Sequence, residues 1–94
     1  MTTLRIEHRI SNYEDWRKDF ENDPIYRLEA GVLRYRIYLP VERKDYVIIE
    51  MDCGTIDQAR ELESAFKDIF ASKEGRLIFD VRTEILRIVE DMKV

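Results

Sequence analysis

The chain has 94 residues, 45% hydrophobic and 38% charged, with 20 acidic against 16 basic side chains and a formal net charge of −4. That is room for one domain, residues 1–94, with a single core. The mixture excludes a disordered or membrane-embedded chain, no apolar run approaches the ~18 residues of a transmembrane helix, and an acidic balance with both signs interspersed argues against nucleic acid.

Leu4 to Ile10 alternate, with Leu4, Ile6, His8 and Ile10 on one face and Arg5, Glu7 and Arg9 on the other, the period of a half-buried strand. Ser11 stands three residues before Glu14, which reads as a capping box opening a helix. Tyr13, Trp16, Arg17 and Phe20 follow at helical spacing, and Pro24 sets the latest point at which that helix ends. Ile25 to Ala30 reads as a connector or a small second helix before Gly31.

Val32 to Leu39 returns to period two. Leu33, Tyr35, Ile37 and Leu39 share one face, and Arg34, Arg36 and Tyr38 share the other. Asp45 to Cys53 is a further strand, with Val47, Ile49, Met51 and Cys53 opposite Tyr46, Ile48, Glu50 and Asp52. The short polar turn between the two strands makes them an antiparallel hairpin. Thr55 and Gln58 form a second capping box, and Ala59, Leu62, Phe66 and Ile69 or Phe70 make the apolar stripe of a second long helix. Ser72 to Val81 reads as either helix or strand, with a short helical return preferred. The last strand is expected at Thr83 to Glu90.

The sum is β-α-β-β-α-β, an α+β ferredoxin-like fold with an antiparallel sheet and both helices on one side. Two helices cover one face of a sheet, yet both faces carry large side chains such as Tyr35, Tyr46, Ile85, Leu86, Ile88 and Val89. The uncovered face therefore calls for a second subunit.

The opening Glu7-His8-Arg9-Ile10-Ser11-Asn12-Tyr13-Glu14-Asp15-Trp16-Arg17, with Phe20 after it, resembles the antibiotic biosynthesis monooxygenase-like family, and most of all its small uncharacterised branch. Gly31 to Tyr38, Tyr46 to Glu50 and Ile56 to Phe66 resemble its following elements, so the likeness runs to about Ser72, and the last strand fits by position. The resemblance implies a homodimeric α/β barrel in which two sheets face each other with the helices outside. It also implies a role in substrate binding and activation for an Asn and a Trp, side chains that Asn12 and Trp16 offer one turn apart. The second helix carries no histidine, which sets the chain apart from the family's haem-degrading members.

His8 is the one histidine, read either as a structural core residue or as a proton acceptor in a ligand pocket. Tyr35, Tyr46 and Arg34 are candidate ligand-binding groups, and they serve equally as cross-strand or solvent-facing residues. Glu50 and Asp52 lie two apart on one face without an accompanying histidine, and the chain has no Gly-rich phosphate loop, Cys-x-x-Cys or Gly-x-Ser-x-Gly. No metal and no cofactor is expected. The lone Cys53 and the absence of an apolar leader core after Met1 point to a cytoplasmic protein. Two functions remain: a dimeric barrel protein binding a small hydrophobic or aromatic ligand, and, as the alternative, a cofactor-independent monooxygenase acting on a phenolic or polycyclic aromatic substrate.

Overall fold

The computed structural model describes residues 1–22, 31–73 and 75–94. Its elements run β1 (Thr2–Ile10), α1 (Tyr13–Glu21), β2 (Val32–Tyr38), β3 (Tyr46–Cys53), α2 (Ile56–Lys73) and β4 (Ile78–Arg87). The four strands form one sheet in the order β2-β3-β1-β4, every neighbour antiparallel. This is the ferredoxin-like βαββαβ arrangement. The connector read at Ile25 to Ala30 lies outside the described residues.

The two inner strands keep the strict alternation of their sequences. Leu4, Ile6, His8 and Ile10 of β1 are buried against the helices, in register with Val47, Ile49 and Met51 of β3, and Cys53 is buried beside them. Ala59, Leu62, Phe66 and Phe70 of α2 and Trp16 and Phe20 of α1 close over that face.

Both edge strands break the alternation, and both breaks correct the sequence reading. In β2 the register shifts between Val32 and Arg34, so Val32 is buried and Leu33 is 63% exposed instead of joining Tyr35 and Ile37. In β4 the register shifts opposite His8, where Asp80 adopts φ 56. A bulge of this kind inserts one residue into the strand and leaves it in the left-handed region. Ile78 is thereby buried on the same face as Thr83 and Ile85, although the count between them is odd. Residues 78–81 are thus strand and not the short helical return, α2 runs on to Lys73, and the last strand ends at Arg87.

The first helix is capped one residue later than Ser11. Asn12 is the N-cap: its Oδ1 accepts from the Asp15 amide at 2.8 Å, and its Nδ2 donates to the Asp15 carboxylate at 2.8 Å. An Asn has the same short acceptor as Ser, and here the reciprocal partner three residues on is an Asp. At α2 the box forms as read: the Gln58 amide donates to Thr55 Oγ1 at 3.1 Å, and the Thr55 amide donates to Gln58 Oε1 at 3.2 Å.

The face of the sheet away from the helices keeps Tyr46 and Leu86 of the large side chains expected there, but not all of them. Tyr35 belongs to the helix side, against Phe20, and Val89 lies beyond β4. Across the open face run rows of charge in cross-strand register, Arg36, Glu50, Arg5 and Glu84 in one and Arg34, Asp52 and Thr3 in the next, with Leu86 at the end of the second row and Ile48 and Tyr46 on the same face.

Candidate functional site

His8 stands at the centre of the helix-covered face and is fully buried. Its ring lies 5.5 Å from that of Phe70 on α2, edge-on, and 6.1 Å from Trp16 on α1. Trp16 stacks on Phe20 at 5.2 Å and approaches Tyr13 at 5.9 Å, Phe20 reaches Tyr35 at 5.7 Å, and Phe70 stacks on Phe66 at 5.3 Å. The imidazole thus bridges two aromatic runs, one from each helix.

The tautomer follows from one contact. Nδ1 lies 3.1 Å from the carbonyl oxygen of Arg9. A carbonyl only accepts, so Nδ1 carries the proton and Nε2 presents its lone pair. Nε2 is buried and has no hydrogen-bond partner among the described residues. Burial among hydrocarbon pulls the His8 pKa below its ordinary value, opposed in lesser part by the Arg9 hydrogen bond. The group is therefore a neutral imidazole whose unpartnered basic nitrogen is buried, with aromatic rings beside it. Such an atom can accept a hydrogen bond from a phenol or take its proton.

The structure brings His8, Trp16 and, through Phe20, Tyr35 into this cluster. It does not bring the others there. Asn12 is exposed, and its side chain is spent on Asp15. Tyr46 and Arg34 lie on the opposite face of the sheet. The Tyr46 hydroxyl donates to Glu7 Oε1 at 2.8 Å, and its pKa is raised by burial first and by Glu7 next. Arg34 Nε lies 3.6 Å from the Asp52 carboxylate. Phe70 is not singled out in the sequence as a site residue, although its place on the buried stripe of α2 is the signal that would have found it.

The open face has its own network. Asp52, nearly buried, accepts from Thr3 Oγ1 at 2.8 Å and faces Arg34 and Arg36 at 3.6 Å. Arg36 donates to the Tyr38 hydroxyl at 2.9 Å and to Glu50 at 3.1 Å, and Tyr38 donates to Glu50 at 3.0 Å. Glu50 and Asp52 are therefore neutralised by arginine, and their arrangement is that of structural ion pairs. Among the described residues no three His, Cys, Asp or Glu side chains gather as metal ligands, and no helix is long and apolar enough to cross a membrane.

No protein-family model and no curated protein matches the chain. Solved structures do. The cofactor-independent oxygenase SnoaB from Streptomyces nogalater aligns over 97% of this chain and 95% of its own with TM-score 0.76 at 8% identity. A dimeric ferredoxin-like protein from an uncultured marine organism aligns over 100% of both chains with TM-score 0.62 at 9% identity. A provisionally assigned antibiotic biosynthesis monooxygenase from Deinococcus radiodurans covers 100% of this chain and 98% of its own, with TM-score 0.62 and 11% identity. At these identities the likeness is one of fold. It is the ferredoxin-like fold of the single chain that the order of elements predicts.

Proposed function

We propose that the chain is a dimeric α/β barrel protein that takes a small phenolic or polycyclic aromatic molecule between its helices and its sheet, and oxygenates it with His8 as the base. The single observation that carries the reading is the unpartnered Nε2 of a neutral His8 held among aromatic rings. A buried acceptor without a donor costs on the order of 1–3 kcal/mol, and a ligand hydroxyl relieves that cost. Shared fold with a cofactor-independent oxygenase and with a dimeric protein supports the class, as an argument by analogy.

The chemistry asks little of the protein. His8 Nε2 removes a proton from the ring hydroxyl, or from a CH2 conjugated with it, and the resulting anion is rich enough in electrons to reduce dioxygen. The CH2 carbon becomes a carbonyl. One oxygen atom stays in the product and the other leaves as water, with all four electrons supplied by the substrate carbon. Trp16, Phe70 and Tyr35 supply the faces and edges on which a planar substrate stacks. Asn12, Tyr46 and Arg34 stand outside this site.

The complete burial of His8 favours a second reading, in which the aromatic ligand is bound and nothing is turned over. One experiment separates the two. A set of polycyclic phenols is screened by thermal shift, and those that raise the midpoint are tested for oxygen uptake. With His8→Gln, turnover should fall about 10²–10⁴-fold while the fold persists. Binding without oxygen uptake leaves the second reading, and uptake indifferent to His8→Gln overturns its assignment as the base.

A further inference from the structure

The open face carries charges that its own chain leaves unanswered. Arg5, Glu7, Arg82, Thr83 and Glu84 line a pocket of about 120 Å³ between β1 and β4. Arg5 gives its Nη2 to Glu7 at 3.0 Å, but its Nε–H is buried without an acceptor. The side chains of Arg82 and Glu84 are exposed and join no ion pair or hydrogen bond among the described residues. In register, Arg5 faces Glu84 and Glu7 faces Arg82, so the patch holds two charges of each sign within four cross-strand positions.

We infer that the occupant of this pocket is a second copy of the chain, through a reciprocal charge lock: the Glu84 carboxylate of each copy enters the Arg5/Arg82 pocket of the other. A two-fold axis makes an interface self-complementary, so one unpaired acid and two unsatisfied arginine groups on a single patch are answered twice over. The space is that of a carboxylate side-chain end and well below the ~300 Å³ at which small-molecule pockets begin. The inference rests on the dimer proposed above and adds what selects it: charge pairing across the sheet faces, sensitive to salt.

Sedimentation of the full chain tests it. Wild type should be dimeric at micromolar concentration, with a dissociation constant that rises as sodium chloride is added. Glu84→Arg and Arg82→Glu should each weaken self-association about 10²-fold, because each places like charges across the dyad. An equimolar mixture of the two variants should regain the dimer, since the arginine put at position 84 then meets the glutamate put at position 82. Repair within one chain cannot produce that rescue, because in each variant the cross-strand neighbours Arg5 and Glu7 now face their own sign. Circular dichroism checks the fold of each variant. If a reversal unfolds, Glu84→Gln carries no repulsion and should still weaken the dimer about tenfold. A monomeric wild type overturns the dimer and the lock together. A wild-type dimer unmoved by salt, by Glu84→Gln and by both reversals overturns the lock alone. A monomer whose Arg5 Nε–H resonance shifts on titration with inorganic phosphate makes the occupant a free anion and overturns it as well.

Discussion

The two faces of the sheet are made by the same strands and held by different physics. On one, Leu4, Ile6, Ile10, Val47, Ile49 and Met51 lie under the helices with almost no exposure. On the other, their immediate neighbours Arg5, Glu7, Arg9, Ile48 and Glu50 face away. Burial of the first set supplies roughly 1.5–3 kcal/mol per large side chain. The ion pairs of the second return only about 0–1 kcal/mol each where they are exposed. The lesson is in the exceptions. His8 is a buried titratable residue on the apolar face, and Asp52 is a nearly buried charge on the polar one. Each stands where the local rule is broken, and each has specific partners.

The widest contrast comes from truncating one residue on each side. Leu62 of α2 is fully buried, so Leu62→Ala should cost about 2–5 kcal/mol in urea unfolding. Arg34 is 67% exposed and meets Asp52 only at 3.6 Å, so Arg34→Ala should cost less than about 1 kcal/mol. Equal losses would end the distinction between a stabilising and a specifying face.

Asp52 sharpens the contrast from within the polar face. Asp52→Ala strands the Thr3 hydroxyl and leaves Arg34 and Arg36 without their shared carboxylate, which should cost about 1–3 kcal/mol. Asp52→Asn keeps an acceptor for Thr3 and should cost less. A loss as small as that of Arg34→Ala would mean that burial of Asp52 does not matter.

The same two-face logic explains what could be read from the sequence. β1 and β3 lie inside the sheet and are paired on both sides, so their alternation survives intact and each of their core residues follows from period two. β2 and β4 lie at the edges, and each absorbs an extra residue, Leu33 in one and Asp80 in the other. One inserted residue inverts every assignment beyond it. That is why Leu33 reads as core and why Ile78 to Val81 reads as either helix or strand. The candidate site was legible in part. His8 and Trp16 come together because both sit on regular apolar stripes, and period two already sets Arg34 on the face away from Tyr35, whereas the separation of Tyr35 from Tyr46 needed the register between strands. The free Nε2 and the tautomer depend on a single carbonyl, that of Arg9, which no spacing reveals.

His8 gives the contrast a pH dependence. Burial holds its folded pKa below the unfolded value of about 6.5, so between the two values the unfolded chain binds a proton that the folded chain refuses. The contribution is therefore complete above about pH 6.5 and is lost as pH falls through that window, levelling off below the folded pKa. The slope from this one group cannot exceed about 1.4 kcal/mol per pH unit. His8→Gln should remove that slope, read as the difference between the two unfolding curves from pH 7.5 to 4.5. Parallel curves would place the imidazole in contact with water and undo the description of the site.

The smallest expected effect belongs to the residue that lets β4 serve both faces. Asp80 sits at φ 56 with an exposed side chain, and its carboxylate accepts from Arg9 Nε at 2.9 Å. Glycine adopts this backbone conformation without strain, whereas a Cβ makes it unfavourable, though less so for Asp than for most residues. Asp80→Gly relieves that strain, loses an exposed ion pair worth about 0–1 kcal/mol, and gives the unfolded chain more freedom to lose. The three nearly cancel, so the net change should stay within about 0.5 kcal/mol. Asp80→Ala keeps the Cβ and loses the pair, and should cost about 1 kcal/mol. If glycine proved the more damaging of the two, the left-handed bulge would not be what holds Ile78 on the core side, and the ion pair to Arg9 would have to be.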